Sequence, residues 1–341
     1  MMSKFSRSVL DRAVYSPLAR QKKDPSVLLG SRFGEDIALV DAGGTLVASH
    51  VDPIVGAAEG IGRLAVHVAC NDLAASAVRP RWLQILVLLP DEKDAERLRS
   101  IMDEAVQAAG EAGAVIIGGH SGYTSALNRP LVAVTALGCA EGEIVSTGGA
   151  RIGDSICLTR GAGLEGTAIL ATDYEKEALR RGLEATDIAE GRRLADRLSL
   201  VPEALALAAA GATAMHDPTR GGVIEALLEM AEASDKGFAV DGDRLPLPPV
   251  VRRFAKAFDF DPLRMLSSGA LVLTLPEEKL LRARRASEEL GVPLTVIGTV
   301  ERGSGLRLGG ARGEAFFSRS EPERDELARL EALLGPPGQT R

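Results

Sequence analysis

Cysteine is scarce in this chain of 341 residues: Cys70, Cys139 and Cys157 stand far apart and form no CxxC pair. Neither a disulfide framework nor a zinc site is indicated, and a reducing cytoplasm fits. Long apolar runs are also missing. No stretch approaches the roughly 18 residues of a membrane-spanning helix. The opening MMSKFSRSVLDRAV lacks the apolar core of a signal peptide and reads as a short amphipathic helix ahead of the polar turn QKKDPS. Positive charge is in deficit, with 40 Lys and Arg against 47 Asp and Glu and a formal net charge of −7. Duplex binding draws its affinity from Lys and Arg on phosphates, so nucleic acid is not the expected partner. The Walker loop GxxxxGK[ST] is absent as well, and any nucleotide cradle must be of another kind.

What is present is ordinary globular usage, with 45% hydrophobic and 26% charged residues. At roughly 150 residues per domain, the length suggests two domains. Residues 37–40 and 46–49 flank the turn Asp41-Ala42-Gly43-Gly44, a hairpin signal. Residues 57–78 read as a helix with Ile61, Leu64, Ala65 and Val68 on one buried face. Trp82–Leu89 is an apolar strand, 91–113 a charged amphipathic helix ending in glycine, and 114–117 and 131–138 two more strands. The Gly-rich polar stretch 141–153 suits a domain boundary. A strand at 155–160 follows, then mostly helical pattern to Gly211, a strand or turn into His216, and a helix from Gly222 to Ser234. Strands at 271–275 and 294–300 enclose a helix near 277–290. Beyond Gly303 the pattern loosens into a tail ending GPPGQTR. The division is therefore 1–26 as an N-terminal helix and extension, 27–148 and 149–305 as domains, and 306–341 as tail. Both halves mix strands with helices, which makes the class α+β or mixed α/β.

Five short motifs carry chemistry. Gly34-Glu35-Asp36, with Gly30 upstream, precedes a strand. A glycine loop lets amides approach a phosphate and an acid holds its Mg²⁺, though a solvated surface turn reads the same. Asp52-Pro53 follows the 46–49 strand, and Asp-Pro alone equally starts a turn. Asn71-Asp72 interrupts the apolar helix, and a carboxylate among Val, Ala and Leu wants a cation. His67, four residues before Asn71, is better read as a packed histidine than as a ligand. Gly118-Gly119-His120-Ser121 follows the strand AVII, and a glycine pair there frees the backbone for a ligand. His216-Asp217-Pro218-Thr219-Arg220-Gly221-Gly222 opens a helix whose free N–H groups attract anions, and Arg220 adds a bidentate donor. Gly161-Ala162-Gly163-Leu164-Glu165-Gly166 matches GxGxxG, but the second strand and acid of a dinucleotide fold do not follow it.

In order, GED, a strand ending in DP, IGRLAVHVACNDLAASAVRP, VIIGGHS, HDPTRGG, LSSGALV and VIGTV form a series. That series resembles the superfamily of AIR synthetase, HypE, thiamine-monophosphate kinase and selenophosphate synthetase. The resemblance covers residues 27–305, and HDPTRGG and SSGALV look most like HypE. It implies a PurM-like two-domain α+β fold, with an N-terminal domain forming a β-barrel across a homodimer and a C-terminal α/β sandwich. It also implies ATP in a cleft between the domains and Mg²⁺ on Asp36, Asp52 and Asp72. Gly34, Asn71, Gly118 and Gly119 would bind the nucleotide beside those acids. His120, Asp217 and Arg220 would face the phosphates or the acceptor.

This chain departs from its relatives in places. HypE ends in a cysteine that carries the carbamoyl group, whereas here the last cysteine is Cys157. Selenophosphate synthetase uses a Cys or selenocysteine in an N-terminal loop, and none precedes Cys70 here. The DGVGTK stretch of AIR synthetase is matched by HVDPIVG. The resemblance thus implies a cytoplasmic ATP-dependent enzyme that phosphorylates an amide, carbamoyl or carboxyl oxygen. The acceptor would be a small molecule or a partner protein, in hydrogenase or other metalloenzyme maturation. A small-molecule kinase like thiamine-monophosphate kinase, or a nucleotide-binding accessory protein without turnover, are the alternatives.

Overall fold

The computed structural model describes residues 5, 7–32, 34–55, 60–311 and 313–335. Its strands form two sheets. The first holds β1 (Val27–Leu29), β2 (Ala38–Asp41), β3 (Leu46–Val55), β4 (Trp82–Leu89), β5 (Val115–Tyr123) and β6 (Leu131–Cys139), in the order β1-β2-β3-β6-β4-β5. Neighbours are antiparallel except β4 and β5. The β2–β3 hairpin pairs Asp41 with Leu46, and the Gly44 amide donates to Asp41 Oδ1 at 2.6 Å, an Asx-type turn contact. β3 then runs past the expected end at Ser49. It continues against β6 to Val55, with Asp52 opposite Val134 and Pro53 opposite Ala133. Asp-Pro therefore sits within a strand rather than starting a turn. Beyond Ser49 the strand has a neighbour on one side only, a position that tolerates proline.

β5 corrects a second expectation. Gly118-Gly119-His120-Ser121 is not a loop after a strand; it is the middle of β5, paired along β4 from Gln84 to Val87. A Cβ on Gly119 would stand 1.8 Å from the Ile85 carbonyl oxygen, so the glycine serves close backbone contact at an irregular register. β5 is also an edge of the sheet, with Val115, Ile117 and Tyr123 exposed along it.

The helices Ile61–Ala75 and Ala95–Glu111 cover this sheet. The sequence pattern gives the first of them one buried face, yet every residue of it except Arg63 is buried. Its outer side meets the second domain, where Leu64 and Val68 pack on Leu198. Residues 57–59, the expected first turn, lie outside the described residues.

The second sheet holds β7 (Ser155–Thr159), β8 (Ala214–His216), β9 (Gly237–Asp241), β10 (Val272–Leu275), β11 (Leu294–Glu301), β12 (Gly305–Gly309) and β13 (Ala315–Phe317), in the order β13-β12-β9-β11-β7-β10-β8. Ile156 and Leu158 of β7 share a core with Val223 and Leu227 of the helix Gly222–Ser234. Cys157, on the other face, shares one with Leu207 of the helix Val201–Ala210, and that core continues into the first domain. Both domains mix sheet and helix, the α+β class expected. The tail expected after Gly303 is instead built into the fold. β12 pairs with β9 in parallel, β13 extends the sheet, and the helix Glu326–Leu334 buries Leu327 and Leu330 in a cluster with Phe254 and Phe258. Residues 336–341 lie outside the described residues. Among those described, no helix is long and apolar enough to cross a membrane.

Asn71 fastens the two domains together. Its Nδ2 donates to the Leu198 carbonyl at 2.9 Å, and its Oδ1 accepts from the Leu200 amide at 3.0 Å. The whole primary amide is thereby engaged by the backbone of the second domain. We predict that Asn71→Leu destabilises the protein by about 2–4 kcal/mol, because it leaves a buried carbonyl and a buried amide unpaired. Urea denaturation of the variant and wild type measures this, and an unchanged midpoint would show that the clamp contributes nothing.

Candidate active site

Three carboxylates from three elements converge where the domains meet. Asp36 lies in the loop before β2, Asp52 in β3 and Asp72 in the helix Ile61–Ala75. All three line one cavity of about 240 Å³, together with Gly34 and Glu229. Two histidines hold the acids in place. His50 of β3 is bonded through Nδ1 to the Asp36 carbonyl oxygen, and its Nε2 lies 3.1 Å from Asp72 Oδ2. A carbonyl oxygen only accepts, so Nδ1 carries a hydrogen. His216 ends β8, the edge strand of the second sheet. Its Nδ1 is 2.7 Å from Asp36 Oδ2 and its Nε2 is 2.8 Å from Glu229 Oε2. Burial opposes a charged imidazole, but Asp36 and then Glu229 outweigh it, and the pKa stands well above the usual histidine value. The Thr147 hydroxyl donates to the same Asp36 oxygen at 3.3 Å. Asp217, only 1% exposed, follows His216 in the chain. Asp36, His216 and Asp217 each offer a ligand atom within 4.8 Å of the others.

Gly34, Asp36, Asp52 and Asp72 thus come together as the sequence implies, with Asp217 beside Asp36. Other expected site residues lie elsewhere. Asn71 is engaged by Leu198 and Leu200, as described. Gly118, Gly119 and His120 sit on the exposed edge strand β5 and are not among the described residues lining this cavity. Arg220 is turned to Asp325, with Nη1 3.2 Å from Oδ1. Asp325 also accepts from the Gly221 amide and caps the helix Glu326–Leu334 through the Ala328 amide. Arg220 therefore anchors the structured end of the second domain, an element the sequence pattern hides.

Four residues escaped the site assignment made from sequence. His50 and His216 are two of only four histidines, and each stands just before an Asp-Pro pair, in HVDP and HDP. That recurrence is a usable signal. Glu229 stands one helical turn from Glu225 in a mostly apolar helix, and both are buried. Paired acids on an apolar face signal a polar partner. Glu165, the fourth, lies in the first turn of the helix Leu164–Asp173. Burial pushes its carboxyl pKa up, the Ser268 hydroxyl and Arg220 oppose that, and Asp52 and Asp325 add to it.

Carboxylate oxygens are the donors Mg²⁺ takes, and Asp36, Asp52 and Asp72 supply them around one cavity. The family model for the N-terminal domain of AIR synthase related proteins matches residues 34–140, and that for the C-terminal domain matches residues 151–310. The chain belongs to the AIR synthase related family. This family member is 31% identical over 264 residues to the carbamoyl dehydratase HypE of Rhodobacter capsulatus, covering 74% of this chain and 75% of that one. With the carbamoyl dehydratase HypE of Escherichia coli K12 it shares 27% identity over 325 residues, 92% of this chain and 91% of the other. The solved structure of the hydrogenase maturation protein HypE in complex with ATP matches it with a TM-score of 0.70 at 25% identity, covering 95% of this chain and 96% of that one. The PurM-like two-domain architecture is thus common to this chain and its HypE relatives.

Proposed function

We propose that this protein is a cytoplasmic, HypE-like, ATP-dependent enzyme that activates an amide, carbamoyl or carboxyl oxygen by phosphorylation. The observation that carries this reading is the convergence of Asp36, Asp52 and Asp72 on one interdomain cavity in a member of this family. Transfer of a phosphoryl group is mainly a matter of positioning and charge neutralisation. Asp36, Asp52 and Asp72 are the groups that would hold Mg²⁺, which when bound offsets the phosphate charge. His216 fixes the orientation of Asp36 from the second domain, and His50 fixes that of Asp72. The acceptor oxygen forms a bond to the γ-phosphorus, the bond to the bridging oxygen breaks, and ADP leaves. A nucleophile then forms a bond to the activated carbon as its C–O bond breaks, and the phosphorylated oxygen leaves as phosphate. Relatives named as hydrogenase-maturation proteins support a setting in metalloenzyme assembly.

The acceptor in this reading is a small molecule or a group on a partner protein. The chain's own thiols are poorly suited. Cys70 and Cys157 are buried, and burial pushes both thiols up to about 12, far from the thiolate that reacts. Cys139 lies five residues along β6 from the position opposite Asp52, about 17 Å away at strand rise.

A homodimer completes this proposal. The exposed edge strand β5, with Val115, Ile117 and Tyr123 on it, supports pairing with a second copy. Light scattering in dilute solution should give twice the 35.8 kDa of one chain, and a mass of one chain would rule the dimer out. For the site itself we predict that Asp72→Asn weakens Mg²⁺–ATP binding at least about 30-fold, as expected when one partner of a buried charge pair is removed. Circular dichroism should show the fold unchanged. Calorimetric titration of both proteins decides it, and equal affinities would make Asp72 a structural residue only.

A further inference from the structure

Near the N-terminus the chain forms a helical run, Arg7–Leu10, Asp11–Tyr15 and Ser16–Leu18, whose middle turn is π-helical. It plays no part in the chemistry given above, yet it forms one wall of the acidic cavity. Leu10 and Tyr15 line that cavity together with Asp36, Asp52 and Asp72, and so does Phe5, just ahead of the run. No other Phe, Tyr or Trp is among the described residues that line it. The cavity thus has carboxylates on the body of the protein and two aromatic rings on the N-terminal segment.

Packing does not account for this placement. A surface helix is stabilised chiefly by burying its apolar face. No residue of this run is buried, and Val14, Leu18 and Phe5 are exposed. The polar fastening is light as well. Arg7 Nη1 lies 2.9 Å from Glu232 Oε1, but both side chains are more than a third exposed, and a solvent-screened pair of this kind contributes little. Size points the same way. The cavity of about 240 Å³ is smaller than the roughly 300–1,000 Å³ of sites that enclose small molecules, so a nucleoside triphosphate enters only if a wall gives way. Asp52, Asp72 and Glu229 stand on elements whose other residues build the two cores. The N-terminal run is the wall that yields.

We infer that the N-terminal run is the base-recognising wall of the cleft: it moves outward to admit the nucleotide, and Tyr15, with Phe5 beside it, packs against the face of the base. This rests on the nucleotide reading given above. Acids and a divalent cation hold only the phosphate end of a ligand. An aromatic side chain against the base is what tells a nucleotide from a bare polyphosphate, because every base offers a flat face to stack on. Tyr15 is therefore a specificity residue, half-buried where Phe5 is exposed.

The test is calorimetry on the full-length protein with Mg²⁺–ATP and with Mg²⁺–tripolyphosphate, which keeps the phosphates and lacks the base. Wild type should prefer ATP by at least about tenfold. Tyr15→Ser should cut that preference at least about fivefold, the lower end of what an aromatic–base contact contributes. Tyr15→Phe keeps the ring and should keep the preference. Amide hydrogen exchange on wild type gives a second reading that needs no substitution. Residues 7–18 should exchange at least about threefold more slowly with Mg²⁺–ATP than with Mg²⁺–tripolyphosphate. ATP binding with an unchanged preference in Tyr15→Ser, or equal exchange with both ligands, overturns the inference and leaves the reading of the acids standing. Wild type binding tripolyphosphate as tightly as ATP does the same. Binding of neither ligand overturns the nucleotide reading, and this inference with it.

Discussion

His216 stands between Asp36 of the first domain and Glu229 of the second, with one ring nitrogen on each. The arrangement of the cleft depends on that bridge. Asp36, Asp52, Asp72, Asp217 and Glu229 are gathered in a small space, and two unit charges 4 Å apart repel by about 4 kcal/mol at an effective dielectric near 20. A protonated His216 turns two of those repelling carboxylates into ligands of one cation. Within the first domain His50 links the Asp36 loop to Asp72, through the Asp36 backbone carbonyl on one nitrogen and the Asp72 carboxylate on the other. The acids are thus held close to one another by two histidines.

The rest of the interface keeps this geometry. Asn71 lies next to Asp72 on a helix buried on nearly all sides, and it binds that helix to the backbone at Leu198 and Leu200. Within the second domain Arg160 donates to the carbonyls of Arg197 and Gly269 and pairs with Glu203 at 2.5 Å, which steadies the Leu198–Leu200 segment that Asn71 grips.

Much of the fold is legible in the sequence where one physical signal dominates. Trp82–Leu89 is a strand because apolar residues, interrupted only by Gln84, run to a proline. Gly222–Ser234 is a helix because a glycine pair opens it and apolar residues follow at helical spacing. Legibility fails where tertiary contact overrides local signal. Asp52-Pro53 has turn chemistry, yet β6 holds it in a strand. Gly118-Gly119 has loop chemistry, yet β4 pairs with it. The strands β12 and β13 are short and interspersed with Gly and Arg, and their pairing with β9 is a long-range contact that no window reveals. For the site, Asp72 was visible as an acid at odds with its apolar surroundings, whereas Asp36 and Asp52 were named through the family resemblance. Asn71 shared that signal but turned out to answer it with backbone groups. The histidine bridges could not be read because their partners are far away in the chain, Asp36 and His216 being 180 residues apart.

The central claim is that the acids at the domain boundary form a nucleotide–metal site. The most direct measurement is X-ray diffraction at the manganese absorption edge from crystals grown with ATP and Mn²⁺. The account predicts an anomalous peak about 2.1 Å from carboxylate oxygens of at least two of Asp36, Asp52 and Asp72, with nucleotide phosphates completing its ligands. A nucleotide bound outside this cleft, or manganese with no contact to these three acids, would contradict it.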